Sequence, residues 1–389
     1  MDNSTTEQTR DLSGEFPILQ QGHYANHAAM GPWPRCAAQA VQDFAQENVE
    51  LAALRYSQWL RREAQLRDML AELVNAASGD DIALLKNTTE GICTVANGLE
   101  WRRGDNVVIP QGEFPSNRLP WLALERHGVE IREVDIRASA KPEEALLDHV
   151  DTNTRLLSVS AVQWTDGLKL HLEPLGAACR ANGVFFFVDA IQQLGAQQID
   201  VQACAIDCLA ADGHKWLLAP EGIAVFYCSQ SARAELNLQQ HGWHMVDDFL
   251  RFDRETWPPS DSAIRFEAGS PNMLGQAALH ASVALLLDVG MNQVEARVTE
   301  NSRLLAQALA GYGKVELVRP FDPERVSGIV SFRLPGHDLA EVFHALKVAQ
   351  IACAMRGKAI RLSPHFYQSG APLQRMLAAL ETVINNIVE

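Results

Sequence analysis

Glycine-rich phosphate loops are missing from this sequence. Neither G-x-G-x-x-G nor G-x-x-x-x-G-K-[ST] occurs, which argues against a nicotinamide or P-loop nucleotide site. The G-x-S-x-G elbow of serine hydrolases is absent as well. Basic residues are the minority, 33 lysines and arginines against 48 aspartates and glutamates, for a formal net charge of −15. Phosphate backbones and anionic membrane surfaces select the opposite balance, so neither nucleic acid nor membrane is expected as a partner. No apolar run approaches the length of a membrane span, and Met1 to Glu15 lacks the apolar core of a signal peptide. The seven cysteines are an odd number scattered along the chain. They read as reduced thiols, and a cytoplasmic protein is expected. Cys204 and Cys208 are spaced C-x3-C, but no second Cys or His pair follows at zinc-site spacing, so no metal is expected.

What is present is an alternation. The 389 residues suffice for two or three domains. Arg35 to Ala76 has a helical pattern with Leu51, Leu54, Leu60 and Leu66 among its apolar positions. Short apolar runs then follow at Ile82–Leu85, Val107–Ile109, Leu156–Val159 and Val184–Val188, separated by helical stretches such as Thr88–Leu99, Leu119–His127 and Pro174–Asn182. Continuous apolar strands alternating with helices predict an α/β sheet covered on both faces. Two further strands, near Cys208–Ala211 and Ile223–Tyr227, flank His214 and Lys215 as a hairpin-like pair. After Asn272 the texture changes. A long helical stretch over Gly275–Gly311 precedes strands at Val315–Val318, Gly328–Leu334, Gln350–Ala354 and Ile360–Ser363, with helices at Leu339–Leu346 and Pro372–Val388. The expected division is an N-terminal arm over residues 1–20, its first dozen residues mobile, a large domain over 21–271 and a small α+β domain over 272–389.

Ligands of open α/β sheets bind beyond the carboxyl ends of the strands, and polar residues collect there. Lys215 lies in Ala211-Asp212-Gly213-His214-Lys215-Trp216. A lone lysine on a turn is usually a surface residue, but one held against an apolar wall is desolvated and becomes nucleophilic. Asp189 ends the run Val184-Phe185-Phe186-Phe187-Val188. It is either a helix cap or structural hydrogen-bond acceptor, or a counter-ion for a protonated heteroaromatic nitrogen. Asn87-Thr88-Thr89-Glu90 is a capping motif that doubles as a phosphate seat, because caps and anions use the same helix N–H donors. Phe114, taken alone, reads as core. Arg361, amid apolar residues, needs a carboxylate from the protein or from a substrate.

In this order and spacing the segments resemble the class V aminotransferase family of fold-type I pyridoxal-phosphate enzymes, which includes cysteine desulfurases, kynureninases and isopenicillin N epimerase-like proteins. The resemblance runs from about Tyr24 to Tyr367. It is carried by Val188-Asp189-Ala190-Ile191-Gln192, Asp212-Gly213-His214-Lys215-Trp216, Arg265-Phe266-Glu267-Ala268-Gly269-Ser270-Pro271-Asn272, Thr88-Thr89-Glu90-Gly91 and Arg361-Leu362-Ser363-Pro364-His365-Phe366-Tyr367. It implies an α/β, fold-type I enzyme with a mixed, mostly parallel sheet in its large domain. It further implies that Lys215 holds pyridoxal 5'-phosphate as a Schiff base and moves protons at the substrate α-carbon. Asp189 pairs with the pyridine nitrogen, Gln192 reaches the phenolic oxygen region, and His214 with the Thr88-Thr89 amides holds the phosphate. Phe114 stacks on the ring. Ser270 reaches the phosphate of a neighbouring subunit, implying a homodimer with shared sites. Arg361 clamps the substrate carboxylate, and Asn26-His27-Ala28 lines the substrate pocket.

Three departures from the desulfurase pattern bear on the reaction. Arg356-Gly357-Lys358-Ala359-Ile360 is short and carries no nucleophilic cysteine, and Cys353 precedes it in an expected strand. Asp212 stands where desulfurases have a hydroxyl for the phosphate, so it is expected to turn away or to act through water. Gln163-Trp164 replaces an asparagine at the cofactor oxygen and makes the substrate side more apolar. The expected reaction is therefore transamination of a small amino acid, with Arg356 beside Arg361 hinting at a second acidic group. The alternatives are a cysteine desulfurase or C–S lyase, an amino-acid epimerase, and a non-catalytic pyridoxal-phosphate-binding protein.

Overall fold

The apolar runs form strands buried on both faces. In this computed structural model, which describes residues 12–388, seven strands make the main sheet. They are β1 (Ile82–Leu85), β2 (Asn106–Pro110), β3 (Glu130–Val134), β4 (Thr154–Ser160), β5 (Phe185–Asp189), β6 (Cys208–Asp212) and β7 (Ala224–Cys228). Their spatial order is β1-β7-β6-β5-β4-β2-β3. All neighbours pair in parallel except β7, which runs antiparallel to β6 and β1. Successive side chains enter different cores because strand side chains alternate faces. Phe186 and Val188 pack with Leu66 and Leu70 of the Tyr56–Val74 helix. Phe185 and Phe187 pack with Ile92 and Val95 of the Thr88–Gly98 helix. That two-sided cover is why the strands read as unbroken apolar runs.

A second sheet is antiparallel throughout. It contains β8 (Glu316–Leu317), β9 (Val330–Arg333), β10 (Ala354–Arg356) and β11 (Ala359–Leu362) in the order β10-β11-β9-β8. Its core joins Phe332, Ile360 and Leu362 to Leu305 and Leu380. Ala25 belongs to that core as well, and His23–Tyr24 pairs in parallel with Ile351–Ala352, so this segment straps onto the C-terminal unit, whereas Leu12 and Phe16 before it join the core of the main sheet. Conversely, the Met273–Val289 helix, beyond the expected boundary at 272, contributes Leu279 and Val283 to the core of the main sheet.

Several expected elements are interrupted. The stretch Gly275–Gly311 is two helices, Met273–Val289 and Met291–Gly311, bent by 84° at Gly290, whose φ is +85°. Arg35–Leu51 and Tyr56–Val74 are likewise separate helices, with Ala52 at φ +47° between them. The strand expected over Gln350–Ala354 breaks at Cys353 into Ile351–Ala352 and β10. Edge strand β3 was not anticipated, because Glu-Ile-Arg-Glu-Val has too few apolar positions to signal a strand covered on both faces. The arm expected over residues 1–20 lies outside the described residues up to position 11. Among the described residues, no single helix is long and apolar enough to cross a membrane.

Candidate active site

At the carboxyl edge of the main sheet lies a cavity of about 230 Å³. That is below the roughly 300–1,000 Å³ typical of drug-sized sites and suits a small ligand. Two larger hollows, about 790 Å³ around Arg180 and Arg233 and about 620 Å³ around Lys169 and Glu173, contain no buried lysine. The first of these opens at the amino ends of β5 and β6, the wrong edge for an α/β ligand site.

Strand ends supply one wall each. After β1, the Asn87 side chain accepts from the Glu90 N–H at 2.9 Å and caps the Thr88–Gly98 helix, while the Glu90 carboxylate accepts from the Lys86 N–H at 2.7 Å. The helix therefore begins at the cavity with free N–H donors. Thr88 is buried and its Oγ1 has no partner. Thr89 donates to Ser116 at 2.8 Å. Gly91 lets this helix settle on β6 and β7: a Cβ there would lie 2.9 Å from Ala210 Cβ. After β2, the Phe114 ring comes within 5.7 Å of Lys215 Nζ and meets the Trp164 ring edge-on at 5.4 Å. After β4, Trp164 Nε1 donates to the Gly112 carbonyl at 3.0 Å, which fixes that indole over the opening.

Lys215 follows β6 and is only 8% exposed. Burial pushes its amine down to about 8, despite the opposing pull of Asp189; Arg361 pushes the same way as burial. Asp189, at the end of β5, is 2% exposed and accepts only from the Ile191 N–H, at 3.0 Å. Burial and the carboxylate of Glu113 push it up to about 7. Arg361 reaches the site from β11 of the second sheet. It is 2% exposed, donates from one terminal nitrogen to the Trp164 carbonyl at 2.6 Å, and leaves its Nε without a partner. Burial lowers it to about 9. Arg356, on β10, is exposed and lines the same cavity.

Most expected residues converge here: Ala28, Thr88, Thr89, Phe114, Trp164, Asp189, Gln192, Asp212, His214, Lys215, Arg356 and Arg361 all line the cavity. Others do not. Gln163 is fully buried behind it, donating to Glu113 at 3.0 Å. His27 is also buried behind it, bonded to the Ser363 carbonyl and to Tyr367 Oη, with Asn26 bridged to Ser363 beside it. Of the expected Asn26-His27-Ala28 lining, only Ala28 faces the cavity, because the segment's other side chains are drawn toward β11 and the residues after it. Ser270 is exposed and off the cavity of this chain. Gln192 lines the cavity with its amide already committed, accepting from Trp216 Nε1 and donating to the Ala28 carbonyl, both at 3.0 Å. Asp212 lines the cavity with its Oδ1 2.8 Å from His214 Nδ1.

Glu113, at the carboxyl end of β2, has no role assigned from the sequence. It is buried, accepts from the Ser160 N–H at 2.7 Å, from the Ser160 hydroxyl and from Gln163, and sits near Asp189. Its only sequence signal was a carboxylate directly after a strand. A separate buried group, Glu63, His244 and Glu267, is close enough to share an ion among the described residues, but the Arg67 guanidinium contacts both carboxylates and supplies the counter-charge.

A buried amine, a buried carboxylate, an arginine with a free nitrogen and a helix N-terminus on one small cavity define a site for an anionic ligand bearing an electrophilic carbon. The chain belongs to the aminotransferase class V family, whose model matches residues 23–371; members of this family use pyridoxal phosphate. It is similar to a probable cysteine desulfurase of Methanothermobacter thermautotrophicus, 29% identical over 397 residues covering 96% of this chain and 98% of the relative. Among solved structures it resembles the cystine C–S lyase C-DES in complex with its product cysteine persulfide, with 26% identity, a TM-score of 0.85 and coverage of 94% and 98%. A C-DES variant with glycine covalently linked to its pyridoxal-phosphate cofactor matches in fold, at 24% identity, a TM-score of 0.87 and coverage of 95% and 98%. The unpartnered Thr88 Oγ1 and Arg361 Nε are donors of the kind an anionic cofactor and its substrate carboxylate require, and Lys215 and Asp189 share the cavity with them, so the residues present fit the group.

Proposed function

We propose that this protein is a pyridoxal-phosphate-dependent C–S lyase acting on a small cysteine-type amino acid. The observation that carries the proposal is a cavity holding Lys215, Asp189 and Arg361 but no thiol. All seven cysteines are free and none lines it. Cys353, the nearest to the expected loop position, is buried, and its thiol is pushed up to about 12 by burial, so it is a poor sulfur acceptor. The names of the relatives favour C–S chemistry over the transamination that the sequence suggested, and the missing thiol favours a lyase over a desulfurase.

When bound, the cofactor supplies an electron sink for the pair released at the substrate α-carbon. The Thr88–Gly98 helix start and His214 would hold its phosphate, Lys215 its aldehyde carbon and Asp189 its ring nitrogen. Lys215, with its amine lowered by burial, is neutral in a useful fraction of molecules near pH 7.5 and can take the α-proton. Arg361 offers its free Nε to the substrate carboxylate and so fixes which α-bond faces the amine. Phe114 and Trp164 meet edge-on and form one apolar side of the cavity. Ser270, exposed in this chain, is where we propose that a second copy completes the site, in a homodimer of the cytoplasm.

The test is product analysis. A lyase converts cysteine and water to pyruvate, ammonia and sulfide, whereas a desulfurase yields alanine and passes the sulfur to a thiol. Pyruvate matching sulfide, retained within about twofold in Cys353→Ser and lost in Lys215→Ala, is expected. Alanine as the main product, or loss of sulfide release in Cys353→Ser, overturns the proposal.

A further inference from the structure

The Asp212–His214 contact has no role in holding the fold together that the surrounding bonds reveal. Asp212 Oδ1 and His214 Nδ1 lie 2.8 Å apart, and both atoms are buried with no other partner. Both residues line the cavity beside Thr88, and Gly91 seats the start of the Thr88–Gly98 helix over the end of β6, from which they emerge. A carboxylate next to an anion seat is repulsive unless a cation stands between them.

The ring supplies that cation once both of its nitrogens carry a proton. An ionised carboxylate carries no hydrogen, so a ring nitrogen held 2.8 Å from it must carry one. With Nδ1 protonated, the neutral ring offers only a lone pair at Nε2, and a lone pair faces phosphate oxygens unfavourably. A second proton on Nε2 turns the ring into a donor at both nitrogens, and the Asp212 charge favours that form. We propose that Asp212 is a positioning residue that keeps His214 as an imidazolium, so that His214 binds the cofactor phosphate as a cation and Asp212 strengthens phosphate binding instead of repelling it. This rests on the assignment of pyridoxal phosphate to the cavity. The other ionisable groups facing the cavity are Asp189 from β5, Lys215 beside His214, and Arg356 and Arg361 from β10 and β11. None of these is within the contact itself.

The experiment compares pyridoxal phosphate with phosphate-free pyridoxal on cofactor-stripped protein. Affinities of the wild type, Asp212→Asn and His214→Gln are measured by absorbance titration from pH 6.5 to 9, after circular dichroism confirms that each variant is folded. The wild type is expected to prefer pyridoxal phosphate, with that preference falling as pH rises. Asp212→Asn should weaken pyridoxal phosphate about tenfold or more at pH 7, leave pyridoxal within about twofold, and move the fall in preference to lower pH. His214→Gln should abolish the pH dependence of the preference. Tighter binding of pyridoxal phosphate by Asp212→Asn, or equal binding at every pH, overturns the proposal, because the carboxylate would then be repulsive or idle. If Asp212→Asn does not fold, Asp212→Ser is read by the same criteria. Failure of the wild type itself to take up either compound refutes the cofactor assignment, which is a different outcome.

Discussion

Replacing Arg361 with Gln in the cofactor-free protein should raise the pH at which Lys215 becomes a nucleophile, and Asp189→Asn should lower it. Burial is the main cause of the drop from 10.5 to about 8, with Arg361 acting in the same direction and Asp189 against it. A displacement of that size is on the order of 3 kcal/mol. At pH 7.5 it leaves roughly a quarter of the amines neutral instead of roughly one in a thousand, a gain of some two hundredfold in reactive lysine. Removing Arg361 takes away one lowering influence but leaves the burial, so the midpoint should settle between about 8 and 10.5. Removing Asp189 takes away the strongest raising influence, so the midpoint should fall below about 8. Competitive acylation across pH 6 to 11, with mass-spectrometric quantification of the Lys215 peptide, reads these midpoints directly. A wild-type midpoint near 10.5 would refute the burial argument. Midpoints unmoved in both variants would refute the electrostatic coupling among the three residues.

Other perturbations follow from the same geometry. Arg67 is buried between Glu63 and Glu267, and Arg67→Met strands both carboxylates; a loss of about 3–5 kcal/mol is expected in urea unfolding, and a loss under about 1 kcal/mol would show that the network is slack. A Cβ at Gly328 would lie 2.3 Å from the Trp216 ring, so Gly328→Ala should cost about 1–3 kcal/mol and reduce turnover from a position off the cavity; unchanged melting and turnover would contradict the packing. For Asp189, whose folded-state acid is raised from 3.8 to about 7, the cost of ionisation is absent below pH 3.8 and fully present above about 7. Cofactor-free Asp189→Asn should therefore gain stability relative to the wild type as pH rises across that window, and a constant difference at pH 4.5 and 7.5 would refute the sign.

The course of β5 and β6 and their polar ends was legible in the sequence, because a run of five or four apolar residues closed by a carboxylate marks a strand whose end reaches polar surroundings or a buried partner. The turn carrying Lys215 was legible for the same reason. The breaks at Ala52 and Gly290 were not: helical periodicity runs through both, and at Gly290 the bend lets the second helix carry Leu305 and Leu309 into the core of the second sheet while the first buries Leu279 and Val283 in that of the main sheet. Glu113 was hidden because its importance comes from Ser160, Gln163 and Asp189, none of them near it in the chain. The contact of Asp212 with His214 was not legible either, because two residues on one turn can face each other or point apart and only the fold decides which.

Local patterning alone determined the strand-and-helix alternation, the candidate lysine and the capped helix that opens at the cavity, since each depends on residues adjacent in the chain. Only the tertiary structure decided which groups share the cavity. It brings Arg361 from a second sheet to Lys215, withdraws Gln163 and His27 behind the wall, and leaves Cys353 buried outside. Those placements depend on long-range packing and on the cost of burying charge, which no stretch of neighbouring residues encodes.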